Sequence, residues 1–374
     1  MSLAPATSDA GVRDTSTSRS KFAVLDGMRG IAALFVVVGH TGDLWGITFP
    51  RSYLAVDLFF ILSGFVIAHA YDRKLATGSL TALAFMKVRL IRLYPVYFLS
   101  IVVCVAVLLL EGRDNSLSKV APPHEFVTMT ALSLLFLPSV LTGNFSVFPL
   151  NFPYWSLAWE LFFNAVYAVI HPWLTRRALV LLVALAAVFL TYCSFKNGGL
   201  GTGFLWGLKS VVTGCARCLF GIFMGVLVYR HVRVGRFSSA LWSRAVPIAI
   251  VCLVLASPAT PGIDWLVEIL VVTMLFPLCV ALGGQPSQGR FEGVLLFLGS
   301  ASYPIYVLHK PLGDLTHLAF NGRVDLASMA PWAGAVFVAV LVTLTVWLER
   351  VYDLPVRRML TQRMRRNAAR RALR

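Results

Sequence analysis

Eleven apolar stretches limit what this chain can become. They fall near residues 24–44, 52–71, 90–110, 126–142, 154–173, 178–195, 207–229, 245–256, 263–283, 293–312 and 329–348. Most are long enough to cross a hydrocarbon core of about 30 Å, which takes about 20 helical residues. In lipid, a continuous apolar run satisfies its own backbone as a helix. Of the 374 residues 58% are hydrophobic and 13% charged, with a mean hydropathy of +0.76, whereas soluble domains hold about 45–50% apolar residues with glycine counted. The predicted fold is all-α, a polytopic transmembrane helix bundle. Residues 1–20 carry Ser, Thr, Ala and Asp without the apolar core of a secretory signal, and read as a disordered cytoplasmic tail. Residues 21–350 form the membrane domain, and 351–374 a basic cytoplasmic tail.

The positive charges orient the bundle. The net charge is +16, and nine arginines lie in residues 350–374, directly after the last apolar run. That placement fits the positive-inside tendency and anionic lipid, and gives no reason to expect a nucleic-acid partner. If all eleven runs cross from a cytoplasmic N-terminus, this cluster falls on the outer face. If 126–142, which is short and interrupted by Pro138, stays on one side as a re-entrant or interfacial hairpin, ten helices span and both termini are cytoplasmic. The six cysteines lie in or beside apolar runs and read as small hydrophobes. Cys215 and Cys218 have a CxxC spacing without a second pair, so no metal site is expected.

Ionisable residues inside spans are costly, which marks them as functional. Arg29 and His40 are eleven steps apart on the first run with only glycine, aliphatic and aromatic residues between. On a helix they share one face about 16 Å apart. Counting along the ten spans places His40, Asp57, Glu160 and His309 at similar depth in the outer half. Asn164, Tyr167 and His171 continue the face of Glu160, and Ser302, Tyr306 and His309 form an i, i+4, i+7 stripe. Arg29, Arg89 and Arg92 gather at the inner face, where two guanidinium groups one turn apart suit bidentate capture of phosphate. Arg217, within a span, needs a buried partner such as a donor phosphate or the carboxylate of Glu160. A histidine in a low-dielectric site can take a proton from a hydroxyl or carry a group transiently. The sets together suit transfer from a phosphate-bearing cytoplasmic donor to an acceptor approached from the outer side.

Several motifs then match one family in its order. Leu25-Asp-Gly-Met-Arg-Gly-Ile-Ala-Ala with His40 resembles the opening Arg-x10-His motif of acyltransferase family 3. Val56-Asp-Leu-Phe-Phe-Ile-Leu-Ser-Gly-Phe65 resembles its second-helix signature, and Arg89-x-x-Arg92 with Tyr94-Pro95 its third. Tyr154-Trp-Ser-Leu-Ala-Trp-Glu160 resembles its Trp-Ser-Leu-x-x-Glu block. Arg217 before Phe220-Gly-Ile-Phe-Met-Gly and Ser302-Tyr-Pro-Ile-Tyr-Val-Leu-His309 resemble its later elements, and Glu349 with Pro355 loosely resembles its closing Glu-x-Pro. The resemblance spans residues 22–358. It implies an O-acyltransferase of the bacterial inner membrane that uses acyl-CoA, in the simplest case acetyl-CoA, as donor co-substrate, with no permanently bound cofactor. The acceptor it implies is a sugar hydroxyl of an envelope polysaccharide, glycolipid or other exported glycan. Catalysis is expected from His40, with Glu160 holding the imidazole and Asp57 or His309 assisting. Donor binding is expected from Arg29, Arg89, Arg92 and Arg217. The competing reading is a proton-coupled transporter or flippase, with His40, Glu160 and His309 as a proton relay.

Overall fold

The computed structural model describes residues 22–111, 123–139, 146–205, 207–231, 242–285, 291–320 and 324–372. The expected tail at 1–20 lies outside them. The described residues are almost entirely helical. In chain order the helices are α1 (Ala23–His40), α2 (Ala55–Ala76), α3 (Ala82–Glu111), α4 (Pro123–Leu134), α5 (Tyr154–Ile170), α6 (Arg176–Asn197) and α7 (Leu208–His231). There follow α8 (Trp242–Ala256), α9 (Asp264–Gly283), which contains a π-turn at Val271–Leu275, α10 (Glu292–Phe320) and α11, which starts at Trp332. Among the described residues, seven helices are long and apolar enough to cross a membrane by length and composition. The multi-pass membrane bundle read from the sequence is therefore the observed fold.

Two parallel helix pairs carry Arg29, His40 and His309 on one side and Asp57 and Arg217 on the other, and glycines bring each pair together. On α1, a Cβ added to Gly30 would lie 2.6 Å from the carbonyl oxygen of Leu298 on α10, and one added to Gly27 would overlap Leu295. On α2, a Cβ at Gly64 would lie 2.0 Å from the carbonyl oxygen of Ile222 on α7, and one at Gly225 of α7 would lie 2.1 Å from that of Ile61. Backbones this close need residues without side chains, the usual solution where lipid removes the hydrophobic drive between helices. Along α1 and α10, Gly27 faces Leu295, Gly30 faces Leu298 and His40 faces His309. Both helices therefore run in the same direction. Along α2 and α7, Asp57 faces Arg217 and Gly64 faces Ile222, again parallel.

That parallel packing answers the crossing question. For α2 and α7 to run the same way, an odd number of the four helices between them must cross. The one that fails is α4, whose twelve residues reach about 18 Å, short of a core of about 30 Å. It ends at a left-handed Phe136, φ 58°, and the Tyr97 hydroxyl of α3 donates to the Ser133 carbonyl at 2.6 Å. The short run thus packs against protein instead of spanning.

Helix α11 differs from the expectation of a separate tail. It runs through a π-turn at Glu349–Asp353 into Leu354–Ala372, so the arginine-rich segment continues the last span as helix.

Candidate active site

The arginines expected at a helix entrance lie deeper. Helix α3 begins at Ala82, which puts Arg89 and Arg92 about 10 and 15 Å along it. At that level they meet α5. Arg89 Nη2 donates to Glu160 Oε1 at 2.6 Å, and the Ser63 hydroxyl of α2 donates to the same oxygen at 2.6 Å. Arg29, Ser63, Arg89, Arg92, Glu160, Ser302, Tyr303 and Tyr306 line one cavity of about 140 Å³, with Phe59, Phe60 and Leu93 among its apolar walls. Arg29 pairs with Asp26 at 3.3 Å. Arg92, among the described residues, makes neither a side-chain hydrogen bond nor an ion pair within 4.0 Å.

Tyr306 stands between this cavity and the histidines. Its hydroxyl lies 2.7 Å from the Ser156 hydroxyl, which itself donates to the Pro153 carbonyl at 3.0 Å. The ring of Tyr306 is 6.1 Å, centroid to centroid, from His309. His309, fully buried, places Nε2 2.8 Å from Nδ1 of His40, with the two rings nearly parallel. Its own Nδ1 is 3.2 Å from the Ile305 carbonyl. A carbonyl only accepts, so this bond assigns the proton to Nδ1 of neutral His309 and leaves Nε2 as an acceptor. Nδ1 of His40 must then be the donor, and Nε2 of His40 keeps a free lone pair. His40 is exposed at the end of α1, and Phe152 packs edge-on against its ring at 4.9 Å.

A proline helps fix this corner. Pro311 lacks the N–H that would bond the Val307 carbonyl four residues back. Asn151 Nδ2 takes that carbonyl at 3.0 Å instead. The segment leading into α5 is thereby pinned to α10 beside His309, which sets Phe152 against His40.

Two expected partners of the imidazole are elsewhere. Glu160 does not hold His40; its carboxylate is committed to Arg89 and Ser63, and His309 occupies the position against His40. Asp57 is likewise committed to Arg217, whose Nε and Nη2 reach its two carboxylate oxygens at 3.0 and 2.7 Å. Arg217 also donates to the Thr202 and Tyr53 carbonyls at 2.7 and 3.0 Å and stacks over Trp155 at 5.3 Å. With Arg217 1% and Asp57 0% exposed, this centre is closed to ligand, and Arg217 does not join the cavity lining. Of the remaining polar residues on the Glu160 face of α5, Asn164 is buried without a hydrogen-bond partner, and the other two find one that their own sequence did not point to. Tyr167 and His171 meet Asp72 of α2 at 2.7 and 2.9 Å, and Arg230 binds the same carboxylate. Of the residues singled out from sequence, the structure thus joins Arg29, Arg89, Arg92 and Glu160 at one cavity, and His40 with His309 beyond it. Ser63 was not singled out although it lies in the second-helix motif; its part shows only with Glu160 opposite.

Comparison with known proteins decides what such an arrangement belongs to. A family model described as an acyltransferase domain matches residues 22–350, nearly the whole described bundle. The chain belongs to acyltransferase family 3. Two relatives of this family-3 chain are informative. It is 44% identical over 178 residues to "Protein 2 in picA locus" of Rhizobium radiobacter, covering 46% of this chain and 93% of that protein. It is 30% identical over 130 residues to "Exopolysaccharide production protein ExoZ" of Rhizobium meliloti (strain 1021), covering 34% of this chain and 37% of that protein. No solved structure matches it. The chain is therefore a multi-pass membrane acyltransferase-family protein, in agreement with the resemblance read from its motifs.

Proposed function

We propose that this chain is an O-acyltransferase of the bacterial inner membrane that moves an acyl group, acetyl in the simplest case, from cytoplasmic acyl-CoA to a sugar hydroxyl of an exported polysaccharide or glycolipid. In this reading both termini and the arginine end of the bundle face the cytoplasm, and His40 faces the acceptor side. The observation that carries it is the single cavity with arginines at one end and Tyr306, backed by the His309–His40 pair, at the other. The relative named for exopolysaccharide production supports the acceptor class.

The nucleotide of the donor binds at Arg29, Arg89 and Arg92, and its pantetheine arm enters the cavity toward Tyr306. Glu160 holds Arg89 in place through the 2.6 Å bond; it is a positioning residue. The free Nε2 of His40 takes the proton of the acceptor hydroxyl as the oxygen attacks the thioester carbon. The carbon–sulfur bond then breaks, and the thiolate leaves with the proton that the imidazolium returns. His309 accepts the Nδ1 hydrogen of His40 throughout, fixing tautomer and ring orientation. The Asp57–Arg217 pair ties α2 to α7 and takes no part in the transfer.

Purified protein incubated with labelled acetyl-CoA and candidate glycan acceptors tests the reading. The expected result is acylated acceptor with no label left on the protein after a rapid quench into neutral denaturant. Donor and acceptor recovered unchanged would overturn it in favour of transport, and label trapped on His40 would replace general-base transfer with an acyl-histidine route.

A further inference from the structure

The family match ends at residue 350, yet the helix goes on, and it does so beside the donor cavity. The π-turn at Glu349–Asp353 shifts the register of α11 at the level of α3, and such turns inside α-helices are frequent at functional positions. There the Tyr352 hydroxyl donates to the Pro95 carbonyl of α3 at 3.2 Å, one turn from Arg92. Asp353 is 4% exposed; one of its oxygens accepts from Arg357 Nη1 at 2.9 Å and the other is buried without a partner. Arg357 lies within electrostatic reach of Arg92, as do Arg29, Arg89 and the carboxylate of Asp353.

The charges around Arg92 do not balance. Arg29 has Asp26, Arg89 has Glu160 and Arg357 has Asp353. Each of the three carboxylates beside these four guanidinium groups bonds another arginine, and Arg92, on which Asp26 and Asp353 act only at longer range, has none of its own within 4.0 Å. A half-buried cation whose nearest carboxylates are each bonded to another arginine has room for an anion that completes the site. Arg357 uses only one nitrogen on Asp353, so its remaining donors are available to the same anion.

We propose that Arg357, carried beyond the family domain by α11, forms with Arg92 a clamp for a phosphate group of the acyl donor's nucleotide. The C-terminal helix is then one wall of the donor site, and it selects donors that carry phosphate over pantetheine alone. This rests on the acyl-CoA reading above. An anionic lipid headgroup offers the same phosphate chemistry, and the experiment separates the two sources.

Binding of CoA and of unphosphorylated pantetheine to the full-length protein in neutral detergent tests the clamp without requiring turnover. Arg357→Ala is expected to weaken CoA binding about tenfold or more, the size of a lost charge-assisted bond, and to leave pantetheine binding unchanged. Arg357→Lys is expected to restore part of the loss, and Arg363→Ala, two turns further along the helix, to bind CoA like wild type. Unchanged CoA binding in Arg357→Ala would overturn the clamp, as would equal losses for CoA and pantetheine. A defect that appears only in anionic-lipid vesicles would assign the phosphate to lipid and also overturn it. Wild-type protein that binds CoA through Arg357 but transfers no acyl group would retain the clamp and sink the acyltransferase reading. Should Arg357→Ala fail to fold, the Arg357→Lys and Arg357→Gln pair carries the same comparison.

Discussion

Arg217 and Arg92 are both guanidinium groups inside the helix bundle, and their surroundings are opposite. Arg217 is 1% exposed and spends its donors on both oxygens of Asp57 and on two backbone carbonyls, with Trp155 beneath its plane. Arg92 faces the cavity and bonds nothing among the described residues. A saturated buried arginine has no capacity left for a ligand, so its role is to lock two helices together. An unsaturated one beside a cavity is built for an anion that comes and goes. Both were expected to bind donor from sequence, and only satisfaction of their hydrogen bonds separates them.

Loss of the locked centre should be the most damaging change to stability. Arg217→Met strands the Asp57 carboxylate in the bundle, and thermal unfolding in detergent should show a loss of about 3–5 kcal/mol. Adding Asp57→Leu should recover most of it, since the uncompensated charge is then gone; no recovery would mean that Arg217 acts through something other than this pair. Next in size is Glu160→Gln. It keeps an acceptor for Ser63 but removes the charge facing Arg89, with an expected stability loss of about 1–3 kcal/mol and a raised KM for acyl-CoA. The smallest stability change belongs to Arg92→Gln, within about 0.5 kcal/mol. Its KM for acyl-CoA should nevertheless rise about tenfold or more, as expected for a lost charge-assisted bond. A large stability loss in Arg92→Gln with unchanged KM would erase the contrast between the two centres.

The sequence carried depth well and neighbourhood poorly. Run lengths, the positive-inside bias and the short interrupted run at 126–142 were enough for the bundle and for which run stays on one side. His40 and His309 were at one depth in the sequence and are in contact in the structure. Depth alone also suggested Glu160 and Asp57 beside them, and there it misled. Position along a helix follows from residue number at about 1.5 Å per residue, but which helix lies opposite depends on packing between segments far apart in the chain. Asp57 and Arg217 are 160 residues apart and Arg89 and Glu160 are 71 apart; no local pattern links either pair. The level of Arg89 was misjudged for a simpler reason. Lys87 and Arg89 interrupt the apolar start of α3, so a hydrophobicity count began the span near residue 90 although the helix begins at Ala82. The parallel approach of α2 and α7 through Gly64 and Gly225 was not legible either.

The account depends most on the free Nε2 of His40, held by His309 and reached from the cavity through Tyr306. Mass spectrometry of surface glycans and glycolipids from cells producing either wild-type protein or His40→Ala at equal membrane abundance tests it most directly. The account predicts an acyl modification that is present with wild type and absent with His40→Ala. The same modification at wild-type level in both would contradict it.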